Sequence, residues 1–282
     1  MKIFAHRGLM LNYPENTILS FTHALEQGFG LEIDIHRTKD GKLVVIHDSN
    51  LKRLASIDKE ITNINFDSLQ KIGINYIKAT GVNNTGKIPS LRETLELFRA
   101  KSLPVVELAI QVKDCSEKDI EILIVKELDQ FEKDFPDFNI YKRVFVFDIL
   151  ISSAKKFQKL QPKLKLSLSI GENILFPDKR YPTIYNYQEA IKENCWEIVW
   201  ADEWVHGLYN KEFIDKCHND GKLVYAISPE LHKDTIPKHP LSKEGFEEVW
   251  ERLIRLNVDG ICTDYPNKLK QLYKHIKDDN TF

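Results

Sequence analysis

Short runs rich in β-branched and aromatic residues recur along this chain, separated by stretches whose apolar residues fall at helical spacing. The runs lie at 2–6, 31–35, 105–112, 144–148, 165–170, 197–202, 223–228 and 259–263. The helical stretches lie at 15–27, 116–135, 153–160, 187–193, 210–219 and 243–257. In the first of them Ile18, Leu19, Phe21, Ala24 and Leu25 make the apolar stripe. Parallel strands need a crossover between them, usually a helix, so this alternation predicts βα units and a parallel sheet. Eight such units are the number that closes a barrel, and 282 residues suit one α/β barrel. The expected fold is therefore α/β, a (β/α)8 TIM barrel, with the whole of 1–282 as a single barrel domain.

One segment breaks the rhythm. Some fifty residues separate Asp34 from the helix expected near Ser90, too many for an ordinary βα loop. They begin with Lys39-Asp40-Gly41-Lys42 and continue as Leu43-Val44-Val45-Ile46-His47-Asp48. Asp-Gly flanked by β runs signals a hairpin, so strand two should fold back on itself at the top of the barrel. A two-residue turn on Asp40-Gly41 would set Asp34 opposite His47, and a three-residue loop would shift the pairing by one. The insertion is expected at about 37–88, with a short helix at 66–72 and polar loops.

Charge and cysteine usage remove several functions. Lys plus Arg is 40 against 42 Asp plus Glu, a net charge of −2, which gives nucleic acid no electrostatic footprint and a membrane surface no polybasic patch. No run approaches the roughly 18 apolar residues of a membrane-spanning helix, so no stable membrane insertion is expected. The start, Met1-Lys2-Ile3-Phe4-Ala5, reaches the charged pair His6-Arg7 too soon for a signal-peptide core, which reads as cytoplasmic. Cys115, Cys195, Cys217 and Cys262 are far apart and form no CxxC pair, so four reduced thiols are expected rather than a zinc knuckle or disulfide framework.

In a barrel, His6 ends strand one, while Glu32 and Asp34 lie two apart on strand two. Both carboxylates then point to one face, about 7 Å apart along the strand. With His47 returned by the hairpin, two carboxylates and two histidines gather at the C-terminal end of the strands, where barrel enzymes do their chemistry. Hard oxygen ligands suit Mg²⁺ or Ca²⁺, and imidazoles that titrate near neutrality suit proton transfer.

His6-Arg7-Gly8, Pro14-Glu15-Asn16-Thr17, Ser20-Phe21, Ala24, Gly28, Glu32-Ile33-Asp34, Asp40-Gly41, Val45 and His47-Asp48 follow one another in an order and spacing that resembles the N-terminal signature of the glycerophosphodiester phosphodiesterase family. Val258-Asp259-Gly260-Ile261, Thr263-Asp264 and Pro266 resemble its final strand and turn. The resemblance implies a barrel with an insertion after strand two, and metal-dependent cleavage of a small-molecule phosphodiester. It implies Glu32 and Asp34 as metal ligands, His6 and His47 as general acid and base, and Arg7 at the phosphate. In related enzymes a neighbouring substrate hydroxyl can attack first, giving a cyclic phosphate that water then opens.

The chain also departs from that pattern. The family's third ligand is a Glu two residues before a Lys on strand three. Here the stretch is Ile110-Gln111-Val112-Lys113, so Lys113 stands ready for the phosphate while Gln111 replaces the carboxylate. Glu107 shares that face about 13 Å lower and reads as a buried, paired carboxylate. On strand seven Ile227-Ser228-Pro229 replaces a Trp-Thr pair, and on strand four Val146-Phe147-Asp148 lacks the usual Ser before the Phe. A flat aromatic wall is thus expected to be missing, unless Trp200 or Trp204 fills the space from strand six. The expected function is hydrolysis of glycerophosphodiesters or a related phospholipid-derived diester. The alternative is a weak or inactive barrel that binds a metal or phosphate ligand. An amidohydrolase would need a His-x-His pair ending strand one, and Phe4-Ala5-His6 does not supply it.

Overall fold

Alternate residues of every barrel strand face the axis, and hydrogen-bonded neighbours keep that parity all the way round. In the computed structural model, which describes residues 1–77, 83–113, 119–171, 182–204, 207–235 and 238–279, the barrel strands are β1 (Lys2–His6), β2 (Gly30–Arg37), β3 (Leu108–Val112), β4 (Val144–Phe147), β5 (Lys165–Gly171), β6 (Ile198–Asp202), β7 (Leu223–Ile227) and β8 (Gly260–Thr263). Each pairs in parallel with its neighbours, and the sheet closes because β1 pairs with both β2 and β8. The register sets His6 beside Glu32, Asp34 beside Gln111, Gln111 beside Phe147, Gly171 beside Asp202 and Ile227 beside Cys262. A period of two along each strand then carries one continuous inward set up to the mouth.

The lower interior is filled by aromatic rings. Phe4, Phe145, Trp200 and Tyr225 meet at centroid separations of 5.1 to 6.4 Å, mostly edge-on or tilted. Two glycines make room for Phe4. A Cβ on Gly30 would lie 2.7 Å from the Glu107 carbonyl and 3.0 Å from the Phe4 ring, and one on Gly260 would lie 2.9 Å from Tyr225 and 3.0 Å from Phe4. Below the rings, the buried Glu107 carboxylate meets Lys2 at 2.7 Å, Lys165 at 2.8 Å and the Tyr225 hydroxyl at 2.7 Å. Glu107 is thus the paired carboxylate expected of it, at the end of the barrel away from the mouth.

The outward parity, including Leu31, Ile33, Ile110, Val146 and Leu168, packs under the helices. These are α1 (Ile18–Glu26), α2 (Leu91–Lys101), α3 (Ile120–Asp134), α4 (Ile151–Leu160), α5 (Lys211–Asn219), α6 (Phe246–Arg255) and α7 (Pro266–Asp279), with shorter turns between. Ser90 and Glu93 form a capping box at the start of α2. Several elements are shorter than the apolar pattern suggests. The helices expected at 66–72 and 187–193 shorten to Phe66–Leu69 and Tyr187–Ala190. Strand three begins at Leu108 rather than 105, because Pro104 has no N–H to give a ladder, Val106 N bonds back to the Leu103 carbonyl and Val105 is exposed.

The insertion opens with the hairpin strand Leu43–Val45, antiparallel to β2. Its pairing sets Ile35 opposite Val45, so Asp34 faces Ile46 and not His47. The loop has three residues, with Gly41 at φ +80° and Thr38 N donating to the Lys42 carbonyl. The Thr38 hydroxyl bonds Asp40 and accepts from Lys42 N, which fixes the longer turn. Val44, Ile46, Leu51, Leu54, Ile61, Ile64, Leu69, Ile74 and Ile88 form a separate small core beneath the insertion.

Candidate active site

The end of β1 is bent sharply. Arg7 sits at φ +53° and Gly8 at φ +81°, and a Cβ on Gly8 would lie 2.2 Å from Ser20 Oγ, so only glycine fits. The Arg7 backbone N–H donates to the Glu32 carbonyl, and its carbonyl accepts from Asn16 N and Ser20 Oγ. This strained turn aims the guanidinium at Asp34, at 3.2 Å, and at Glu15, at 3.1 Å. Asn16, also left-handed at φ +54°, donates its amide to Asp34 Oδ2 at 2.8 Å. That need explains why α1 starts at Ile18 although the helical stretch was expected from 15: Glu15 and Asn16 serve the site first.

Both histidines are held the same way. His6 Nδ1 lies 2.7 Å from Asp264 Oδ1, and His47 Nδ1 lies 2.7 Å from Asp48 Oδ1. An ionised carboxylate accepts only, so Nδ1 carries the proton in each dyad and Nε2 is left for chemistry. Asp264 is buried, yet the bond to His6 and the Lys233 ammonium at 2.5 Å lower its pKa to about 2. Burial and the nearby Arg7 lower the pKa of His6, against the pull of Asp264. Glu230, itself buried, accepts from Thr263 Oγ1, Asp264 N and Ser228 Oγ and ties the ends of β7 and β8 together under Asp264. Asp48 is bridged by Arg53 to Glu15, which returns to Arg7.

Glu32 and Asp34 are both buried. Against the cost of burial, Lys113 and Arg7 hold Asp34 well below the usual carboxylate range, while burial and the charge of Asp34 push Glu32 up. Lys113 Nζ stands 3.4 Å from Asp34 Oδ1 and donates to Gln111 Oε1 at 3.1 Å. Gln111 Nε2 in turn donates to Asp148 Oδ2 at 2.8 Å. His6, Arg7, Glu32, His47, Gln111 and Lys113 line one cavity of about 450 Å³, and Asp34 sits buried behind it. The structure thus brings all seven expected residues together at the mouth. The supporting carboxylates Asp264, Asp48 and Glu15 lie within the quoted motifs, but nothing in the sequence assigns them partners. Asp264 is 258 positions from His6.

The far side of the cavity is aromatic after all. Trp200 stacks on Phe147 at 4.2 Å, with Trp204, Ile227, Leu231 and Cys262 alongside. Strand six therefore supplies the flat wall that Ile227 does not.

The donor set suits a divalent cation. The buried oxygens Asp34 Oδ1 and Asn16 Oδ1 have no hydrogen-bond partner, and Glu32 accepts only from Arg7 N, at 3.3 Å, among the described residues. Buried hard oxygens without a hydrogen bond, on Asp34 and Asn16 and beside the Glu32 carboxylate, fit Mg²⁺ or Ca²⁺. Among the described residues no three His, Cys, Asp or Glu side chains cluster as a metal site.

The profile of the glycerophosphoryl diester phosphodiesterase family matches residues 6–268. A glycerophosphodiester phosphodiesterase of Bacillus altitudinis is 28% identical over 281 residues, covering 98% of this chain and 99% of its own. A lysophospholipase D of Homo sapiens is 36% identical over 286 residues, covering 95% and 85%. The fold matches that of a glycerophosphodiester phosphodiesterase from Agrobacterium tumefaciens, with TM-score 0.67, 17% identity and coverage of 98% and 99%. It also matches an Oleispira antarctica phosphodiesterase in complex with the product sn-glycerol-3-phosphate, with TM-score 0.69, 18% identity and coverage of 97% of each chain. With the family's profile running from His6, at the end of β1, into α7, this chain belongs to the glycerophosphoryl diester phosphodiesterase family and so to the phosphoric diester hydrolases.

Proposed function

We propose that this chain, acting as one catalytic domain, hydrolyses glycerophosphodiesters or related phospholipid-derived diesters by general acid–base catalysis from His6 and His47. The observation that supports this most directly is the pair of dyads, each imidazole held through Nδ1 by its own carboxylate, in one cavity with Arg7 and Lys113. One Nε2 takes the proton of the attacking oxygen, from water or a neighbouring substrate hydroxyl, as its bond to phosphorus forms. The other gives a proton to the departing alkoxide oxygen as the second P–O bond breaks. Arg7 and Lys113 bind the non-bridging oxygens and offset the charge that develops there. Glu32 and Asp34, joined by the Gln111 amide oxygen, would hold a divalent ion, Mg²⁺ or Ca²⁺. When bound, it supplies further positive charge against the phosphate oxygens.

The substrate is a small molecule. Among the described residues no helix is long and apolar enough to cross a membrane. Buried, free Cys195, Cys217 and Cys262 suit a reducing compartment such as the cytoplasm, whereas Cys115 lies outside the described residues.

His6→Ala and His47→Ala should each lower kcat on glycerophosphodiesters by about 10²–10⁴-fold with little change in KM. The double variant should be not much worse than either single one, since residues acting as a unit are non-additive. A variant that keeps near-full kcat would remove that histidine from the mechanism.

A further inference from the structure

The two imidazole–carboxylate dyads are built differently. His47 takes its carboxylate from its chain neighbour Asp48, which Arg53 braces from the insertion. His6 takes its carboxylate from Asp264, one residue past the end of β8. β7 and β8 pair up to Ile227 and Cys262, and Ser228 N–H still donates to the Cys262 carbonyl at 3.0 Å. One step further, a continued parallel ladder would give the Asp264 N–H to the Ser228 carbonyl. That carbonyl is already taken, because the chain turns at Pro229–His232 and Leu231 N–H donates to it at 3.1 Å.

The side chain of Glu230, in that turn, supplies the missing acceptor. Its Oε1 receives the Asp264 N–H at 3.1 Å and the Thr263 hydroxyl, and its Oε2 receives the Ser228 hydroxyl. Ser228 Oγ accepts from the Trp250 indole at 2.6 Å, and Thr263 Oγ1 accepts from Tyr265 N–H at 3.0 Å. Those N–H groups can only donate, so each hydroxyl proton is free to point at Glu230. The turn is pinned beyond Glu230 as well. Lys233 N–H donates to the Glu230 carbonyl at 3.2 Å, and His232 Nε2 lies 2.8 Å from Oδ1 of Asp202, the last residue of β6. Glu230 is 1% exposed, and its carboxylate has no slack in which to swing away.

We propose that Glu230 is a positioning residue for His6. By taking the place of a ladder carbonyl it fixes the Asp264 backbone, holds the Asp264 carboxylate on His6 Nδ1, and so sets the direction in which His6 Nε2 points. It acts through Asp264 and touches none of the residues assigned to phosphate or ion. The pair His47–Asp48 is tied to Arg53 and Glu15 instead, which makes it an internal control. The inference rests on the phosphodiesterase reading for its effect on turnover, and on the geometry of β7 and β8 alone for its effect on the imidazole.

The test reads the hydrogen-bonded Nδ1–H protons of His6 and His47 by proton NMR of the full chain labelled with ¹⁵N-histidine, each assigned by its loss in the matching His→Ala variant. Glu230→Leu keeps the bulk and removes the acceptor. It should displace or abolish the His6 signal, leave the His47 signal in place, and lower kcat on a glycerophosphodiester by about ten- to a hundredfold with little change in KM. Glu230→Gln can keep its carbonyl oxygen on Asp264 N–H and donate its amide to Ser228 Oγ, so it should restore both the signal and kcat. Glu230→Asp is charged but one carbon too short. It should show the Glu230→Leu effects in weaker form, and carries the test if Glu230→Leu does not fold. In a His6→Ala background Glu230→Leu should lower kcat less than about twofold further, since the two act as one unit. A wild type without the His6 signal, a His6 signal indifferent to Glu230, equal displacement of the His47 signal, no restoration by Glu230→Gln, or a kcat loss that persists in full without His6 would each overturn the proposal. Turnover in the wild type with a His6 signal indifferent to Glu230 defeats the positioning role alone. A His6 signal that depends on Glu230, in a protein that cleaves no diester, defeats the phosphodiesterase reading alone.

Discussion

Asp264 serves three groups at once: it orients His6, pairs with Lys233 and takes its backbone position from Glu230. Its folded pKa of about 2 lies below the ordinary 3.8, so its stabilisation is complete above 3.8 and is lost as pH falls through about 2. Asp264→Asn should therefore lower the urea midpoint relative to wild type at pH 7, and the difference should narrow as pH drops from 5 to 3. A difference that stays constant over that range would mean that Asp264 is not held ionised by His6 and Lys233. Glu32 and Asp34 were legible from the sequence because a strand shows its face by period two, whereas Gln111 and Lys113 were picked out only by the family resemblance. Their partners were not legible, because Asp264, Asp48 and Glu15 gain meaning only from contacts that folding makes.

At the scale of elements, the eight strands could be read from composition, but their ends could not. The hairpin after β2 turned on hydrogen bonds between Thr38, Asp40 and Lys42, which favour a three-residue loop over the two-residue turn that Asp-Gly alone suggests. The slip of one residue leaves His47 beyond the paired strand, where its Nδ1 meets Asp48. Packing between strands is equally specific at Gly30. A methyl group there meets the Glu107 backbone at 2.7 Å and the Phe4 ring at 3.0 Å, and neither can yield without moving a strand or the interior ring cluster. Gly30→Ala should cost about 1–3 kcal/mol, as overpacked cores do. Gly41→Ala, which has no atom within 4 Å and strains only φ, should cost about 1–2 kcal/mol. Denaturant unfolding of both would test this, and an unperturbed Gly30→Ala would show that the Phe4 layer is looser than its contacts suggest.

For the whole molecule the decisive balance is charge at the mouth. Two carboxylates, two basic side chains and buried oxygens of Asp34 and Asn16 that accept no hydrogen bond are gathered in one place. Mg²⁺ or Ca²⁺ should raise the melting temperature, since a ligand of the native state alone stabilises it by about 2.7 kcal/mol at a hundred times Kd. Chelator should abolish turnover. Gln111→Glu restores a third carboxylate beside Asp34 and should enlarge the metal-dependent rise, whereas Gln111→Ala should reduce it. If neither substitution changes the rise, Gln111 is outside the ligand set and another oxygen completes it.

The barrel and the position of its mouth were read from local information: period two in the strands, helical spacing between them, and eight repeats, the number that closes a barrel. That is enough to put His6, Glu32, Asp34 and Gln111 on one inward face, because side-chain direction is set by backbone geometry within a few residues. Closure itself decided the rest. It brought Asp264 to His6 and Glu107 to Lys2 and Lys165, and it set Asp202 and His232 across the cavity from Asp34. It also let Trp200 stand in for the aromatic residue absent at Ile227. Contacts between distant strands depend on register and on which side chains can share one interior, and these are fixed only when the sheet meets its own first strand.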